Sequence, residues 1–216
     1  MSVITVERKV LEKNDAIASE LRNQFKSKGY FVINLLSSPG SGKTSLIEKT
    51  AELCKDKFNI HVIVGDVQTD NDAQRIGKLN VPAVQIITNG SCHLEANLVR
   101  DAYKKIDNEK IDLLIIENVG NLVCPAGYDL GEDKKVVILS TTEGDDKPLK
   151  YPAMFRNSQA MVINKIDLVP YVNCSIDQLK KNALSINPSL EIFETSCVTL
   201  KGIEEWSKWL ESNIKK

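Results

Sequence analysis

Two kinds of stretch alternate along this 216-residue chain: apolar runs bounded by turn residues, and segments whose apolar positions return every three to four residues. Residues 6–28 are of the second kind. Val10, Ile17, Leu21 and Phe25 recur among Glu, Lys and Arg, and Gly29 follows as a C-cap, so an amphipathic helix is expected on the outside of the domain or against a partner. Residues 30–36 form the first strand-like run, and residues 45–53 a helix whose Leu46, Ile47 and Leu53 share a face. Further strands are expected at 59–64, 83–87, 111–116, 136–139, 161–163 and 190–193. A polar stretch at 68–72 leads into a helix ending near Leu79, and helices follow at 94–106, 176–186 and 203–214. Strands alternating with helices imply an α/β fold: a mostly parallel sheet, helices on both faces, ligands at the strands' carboxyl ends. The expected organisation is an N-terminal helical extension over residues 1–29 and a single domain over 30–216.

Composition narrows the setting. A net charge of −1 gives no electrostatic reason to expect nucleic acid or an anionic membrane as partner. No apolar run approaches the length of a membrane span and no signal-like stretch opens the chain, so a cytoplasmic location is expected. Cys54, Cys92, Cys124, Cys174 and Cys197 are an odd set without small-scaffold spacing, better suited to buried thiols or metal ligands than to disulfides. Cys54, Cys174 and Cys197 read as structural.

Chemistry first appears at Ser37-Ser38-Pro39-Gly40-Ser41-Gly42-Lys43-Thr44-Ser45, between the first strand and its helix. That is the order of a phosphate-binding P-loop. Gly40 and Gly42 let backbone N–H groups turn onto an anion, and the helix N-terminus adds positive potential at the same point. Lys43 would reach the β- and γ-phosphates, and the Thr44 hydroxyl would ligate Mg²⁺. Ser37 stands where the pattern usually has its first glycine. A P-loop NTPase domain is the expected fold.

Asn164-Lys165-Ile166-Asp167 follows the strand at 161–163. Asp167 can accept from the ring N–H and the exocyclic amine of guanine, a donor pair that adenine lacks. The Lys165 stem can lie along the base, and Thr195-Ser196-Cys197 is placed as a second loop over it. A near-miss, Asn108-Glu109-Lys110-Ile111-Asp112, lacks the strand-exit position. GTP is therefore the expected nucleotide. Asp66 and Glu117 end two core strands, where P-loop enzymes hold Mg²⁺ and orient water. Gly120 is placed to approach a γ-phosphate through its N–H.

Glu117-Asn118-Val119-Gly120-Asn121-Leu122-Val123-Cys124-Pro125, Thr142-Glu143-Gly144-Asp145-Asp146 and Ser91-Cys92-His93-Leu94-Glu95-Ala96 make the chain resemble the hydrogenase and urease maturation GTPases from about Tyr30 onward. It is similar to the hydrogenase branch, which helps insert nickel into [NiFe]-hydrogenase; the urease branch's Glu-Ser-Gly-Gly and Cys-Pro-His strings do not occur. The resemblance implies a slow GTPase that dimerises with nucleotide and carries a metal site at the dimer interface. It also implies a nickel-binding accessory protein and the hydrogenase large subunit as partners. Asp72 and Lys150 are the implied contact across the dimer. There is no N-terminal cysteine motif or histidine-rich tract, since His61 and His93 are the only histidines, so nickel storage is not expected. Cys92, His93 and Cys124 suit Ni²⁺ or Zn²⁺. Adjacent residues project differently, so one chain should offer an incomplete shell that two around a dyad complete. Alternative readings are a P-loop GTPase serving a urease-type or cobalamin-type enzyme, a P-loop kinase, and a plain metal-binding module.

Overall fold

The computed structural model describes residues 6–68, 71–106 and 110–214, with side chains from residue 10 onward. Asn108 and Glu109 of the near-miss string, and residues 69 and 70 of the polar stretch, lie outside the described residues, as do residues 1–5 and 215–216. The elements in order are α1 (Val6–Ser27), β1 (Phe31–Ser37), α2 (Lys43–Cys54), β2 (Ile60–Asp66), α3 (Asn71–Gly77), β3 (Ala83–Ile87), α4 (Ala96–Tyr103) and β4 (Leu113–Glu117). Then come β5 (Lys134–Ser140), α5 (Lys147–Lys150), α6 (Pro152–Arg156), β6 (Ala160–Asn164), α7 (Ile176–Ile186), β7 (Glu191–Glu194) and α8 (Ile203–Ile214). The seven strands form one parallel sheet in the order β3-β2-β4-β1-β5-β6-β7.

Every residue of β1 is buried, as a strand covered on both faces requires. Ile33 and Leu35 pack with α2 and α8 on one face. Val32 joins α1 and α4 on the other, and Leu36 joins α6 and α7 further along it. Asn34 stands between those two apolar clusters, fully buried.

Two expectations about apolar faces are corrected. Leu53 is 40% exposed, and the face α2 buries runs instead through Leu46, Ile47, Thr50, Ala51 and Cys54. Thr50 belongs there because its hydroxyl accepts from the Trp206 indole N–H at 3.0 Å, tying α8 to α2. Val10 is also 40% exposed, and in α1 the buried stripe begins at Asn14 and continues through Ala18, Leu21 and Phe25. Phe25 meets Tyr103 edge-on with ring centroids 4.9 Å apart, so α1 is part of the core of its face. The Asn14 carboxamide donates to Asp129 O and accepts from Ala96 N, both at 2.8 Å. The second bond satisfies an otherwise orphaned donor at the start of α4. Arg22 pairs with Asp129 at 2.5 Å and fixes the same loop.

Candidate functional site

The loop between β1 and α2 turns on Gly42, whose φ of +96° is left-handed. A Cβ there would lie 2.4 Å from Asn164 Nδ2, so this position takes only glycine. Pro39, Gly40, Gly42, Lys43, Thr44 and Ser45 line a cavity of about 500 Å³. Asp66, Asp72, Glu117 and Gly120 line it as well. Ser41 sits within the loop, and its carbonyl accepts from Asn164 Nδ2 at 3.0 Å. The Lys43 ammonium donates to Ser37 Oγ at 2.7 Å, which gives the serine at the usual glycine position a partner. A Cβ on Gly120 would come within 3.0 Å of the Pro39 backbone, so this glycine lets the loop after β4 touch the P-loop.

β2 and β4 are neighbours, and their carboxyl ends bring Asp66 and Glu117 to the same cavity. Asp66 Oδ1 accepts from Gln68 N at 2.9 Å. Glu117 is 2% exposed; its Oε1 accepts from the Thr44 hydroxyl at 2.8 Å, while Oε2 is buried without a hydrogen-bond partner. An orphaned carboxylate oxygen beside a threonine hydroxyl is the donor set Mg²⁺ takes. Burial pushes the Glu117 carboxyl up to about 7, against the opposing pull of the Lys43 ammonium and the Thr44 hydroxyl. The same burial pushes the Lys43 ammonium down, with Glu117 opposing it.

This shift has a sign. The folded protein keeps the Glu117 proton to higher pH than the unfolded chain does, so Glu117 contributes less stability as pH rises through about 7. Mg²⁺ held by this carboxylate would have to displace that proton. Mg²⁺ affinity in the presence of GDP should therefore rise with pH up to about 7 and level off above it. Titration calorimetry with Mg²⁺ across roughly pH 5.5–8.5 checks this. Glu117→Gln should bind Mg²⁺ weakly and without the slope, and a flat wild-type profile would rule out the linkage.

At the far end of the cavity, Lys165 takes a left-handed conformation and donates from Nζ to Gly40 O at 2.6 Å. Asn164 and Lys165 thus fasten the base motif to the P-loop. Asp167 Oδ1 is buried with no hydrogen-bond partner, which fits a base edge that presents donors. Ser196 is fully buried, but its amide donates to Lys201 O and its hydroxyl accepts from Val198 N and Thr199 N, so its bonds close the loop. The Cys197 thiol lies 3.7 Å from Asn164 Oδ1, and burial pushes it up to about 11.

Cys92 and His93 follow β3 and Cys124 follows β4, with β2 between those strands. Their loops nevertheless converge: one ligand atom from each residue lies within 4.8 Å of the other two. All three therefore meet within one chain, as expected for strands that lie near each other, and supply three ligand atoms. The His93 ring packs on Tyr128 with centroids 4.0 Å apart, and its Nε2 is buried, 3.8 Å from a Glu95 carboxylate oxygen. Burial lowers the His93 pKa, with Glu95 opposing, which favours the neutral imidazole that ligates metals. A hydrogen bond with the Cys124 sulfur raises the Cys92 pKa, with burial and the negative charge of a Cys124 thiolate adding to it.

Asp72 and Lys150 are each paired within the chain, Asp72 with Arg75 at 3.2 Å and Lys150 with Asp146 at 2.6 Å. Two contributors carried no assigned role in the sequence. Arg75 lines the phosphate cavity, held by both Glu48 oxygens and by the Ser45 hydroxyl. Glu143 accepts from Ser140 N at 2.8 Å and from the Ser38 hydroxyl, bracing the P-loop from β5. Arg75 has no local signature, lying in a seven-residue helix; Ser140-Thr141-Thr142-Glu143 is a capping box legible in the sequence, but the Glu143 bond to Ser38 spans 105 positions.

Among the described residues no helix is long and apolar enough to cross a membrane. The family model described as "CobW/HypB/UreG, nucleotide-binding domain" matches residues 31–194, from the first residue of β1 to the last of β7. Hydrogenase maturation factor HypB of Rhizobium leguminosarum bv. viciae is 49% identical over 209 residues, covering 97% of this chain and 70% of that protein. The crystal structure of HypB from Helicobacter pylori in complex with nickel superposes with a TM-score of 0.90 at 42% identity, covering 94% of this chain and 95% of that one. HypB from Archaeoglobus fulgidus gives 0.89 at 39% identity, over 94% and 100%. The matched span carries the P-loop, both carboxylate-bearing strand ends, Cys92, His93 and Cys124 and the Asn164–Asp167 motif, and the similarity to HypB reaches into α1 and α8. The chain belongs to the CobW/HypB/UreG family, in its HypB branch.

Proposed function

We propose that this protein is a GTP-hydrolysing metallochaperone that delivers nickel during [NiFe]-hydrogenase maturation. The observation that carries the reading is the Cys92, His93 and Cys124 cluster on the same loop system as the phosphate cavity, Cys124 lying seven residues after Glu117. Nickel, or zinc in its place, is the cargo. The nickel complex of the Helicobacter pylori relative supports that choice.

In the reaction, P-loop amides and Lys43 bind the phosphates, and Asp167 selects guanine against Asn164 and Lys165. Thr44 and Glu117, with Asp66 near, would hold Mg²⁺, which neutralises charge developing on the phosphates. Glu117 and Asp66 orient water, and the Gly120 N–H faces the γ-phosphate. A bound γ-phosphate draws Gly120 inward, and the segment carrying Cys124 follows, so cargo affinity depends on nucleotide. Two copies pair with GTP bound and complete the cargo's coordination across the dyad, where Asp72 and Lys150 would exchange their present partners for contacts in trans. A nickel-binding accessory protein and the hydrogenase large subunit would stand on either side of this step, in the cytoplasm.

The test is GTP turnover and nickel binding on one purified preparation. GTP should be hydrolysed slowly and ATP not at all, and Ni²⁺ should bind. Glu117→Ala should keep GDP binding while losing about a hundred- to a thousand-fold in hydrolysis. Equal turnover of ATP and GTP, or no Ni²⁺ binding in either nucleotide state, would defeat the reading.

A further inference from the structure

Asn118, between Glu117 and the Val119-Gly120 pair, is 1% exposed. Its single side-chain oxygen accepts from two backbone amides of different loops: Leu94 N at 3.1 Å and Val119 N at 2.9 Å. Leu94 is the residue after Cys92-His93, and Val119 the residue before Gly120. One atom therefore holds the exit of the cargo ligands and the approach to the phosphate.

The remaining bonds limit how that atom can move. Asn118 N donates to Leu35 O at 3.1 Å, pinning its backbone to β1. Its Nδ2 donates to Asn34 Oδ1 at 3.3 Å, and Asn34 Nδ2 donates to Glu132 Oε1 at 3.3 Å. Glu132, 6% exposed, accepts in turn from Leu130 N at 2.7 Å. The Leu94 side chain, fully buried, lies so close over β2 that a Cβ on Gly65 would meet it at 2.8 Å, and Gly65 precedes Asp66. The carboxamide is thus fixed on one side, and on the other it shares an oxygen between two segments with different ligands. A shift of Val119 toward the phosphate reorients that oxygen and changes its bond to Leu94. A buried polar group in a hydrogen-bonded network away from solvent has few alternative arrangements, so such a change is passed on instead of being absorbed by water.

We propose that Asn118 is the positioning residue that couples the two sites, transmitting the nucleotide state from Val119-Gly120 to Cys92-His93 through Leu94. This rests on the nucleotide-gated cargo site proposed above.

The experiment compares Ni²⁺ affinity with Mg²⁺-GDP and with a non-hydrolysable GTP analogue, in the wild type and in Asn118→Leu, which has a similar shape but no acceptor. The wild-type ratio should lie in the range of roughly 5- to 150-fold. In Asn118→Leu it should collapse to within about twofold of unity, with Ni²⁺ still bound in both states. Asn118→Asp, which keeps an acceptor for both amides, should restore a ratio. A purely structural role would weaken Ni²⁺ binding equally in both states and leave the ratio standing. Should Asn118→Leu fail to fold, the wild type itself decides: hydrogen exchange at the Leu94 amide, without Ni²⁺, should differ between GDP and analogue. A wild-type ratio that survives Asn118→Leu, or identical Leu94 exchange in both states, overturns the role of Asn118 alone. A wild-type ratio of one overturns it together with the gate.

Discussion

Asp167→Asn should lower GTP affinity about a hundred- to ten-thousand-fold and move the preference toward xanthosine triphosphate. The size follows from one hydrogen bond to a charged acceptor replaced by a donor–donor clash and the other weakened to a neutral acceptor, about 1.5–3 kcal/mol for each position, with 1.4 kcal/mol per tenfold. Asp167 Oδ1 is buried without a partner, so no competing contact softens the loss. The pocket around it should persist, because Asn164 and Lys165 hold the P-loop through Ser41 O and Gly40 O independently of Asp167. An asparagine amide can donate to the carbonyl that xanthine carries in place of guanine's amine, which predicts a swap of preference in addition to a loss. Displacement of a fluorescent GDP analogue by GTP, xanthosine triphosphate and ATP measures all three. An unchanged GTP affinity in the variant would remove Asp167 from the base site.

The second large effect is at the cargo cluster. Cys92→Ala or Cys124→Ser should each weaken Ni²⁺ binding by about a hundredfold or more, exceeding the 10–100-fold typical of losing a residue that only supports a ligand. Cys92, His93 and Cys124 are the one such group among the described residues, and a single carboxylate beside it, that of Glu95, is a poor replacement for a thiolate. GDP affinity should change little, since neither sulfur lines the phosphate cavity. Competition with a chromophoric chelator gives the affinity, and the sulfur-to-metal absorption band gives the ligand. Cys124→Ser that keeps both would exclude that thiol from the site.

Motifs whose residues are close in sequence were legible before any fold was known. Residues 37–45 and Asn164–Asp167 carry their chemistry locally, and the central strands β2 and β4 announce themselves by apolar runs. What periodicity does not encode is the lateral order of strands. The convergence of Cys92 with Cys124 depends on β3 and β4 flanking β2, and the bonds of Asn118 and Asn34 depend on loops far apart in the chain. Leu53 and Val10 were misplaced for a related reason. Helical spacing marks an apolar stripe but not its edges, and Thr50 and Asn14 took interior positions through bonds to Trp206, Asp129 and Ala96.

The burial of α1 bears on how the protein is made. The Ala18, Leu21 and Phe25 stripe leaves the ribosome well before Val99, Ala102 and Tyr103, the α4 residues that cover it. At about 5–20 residues per second, the nascent chain carries that apolar stripe for roughly 4–16 s before its cover is synthesised. Asn14 and Arg22 wait longer still, since Asp129 is translated after α4. During translation the exposed apolar face of α1 is therefore a natural target for ribosome-associated chaperones.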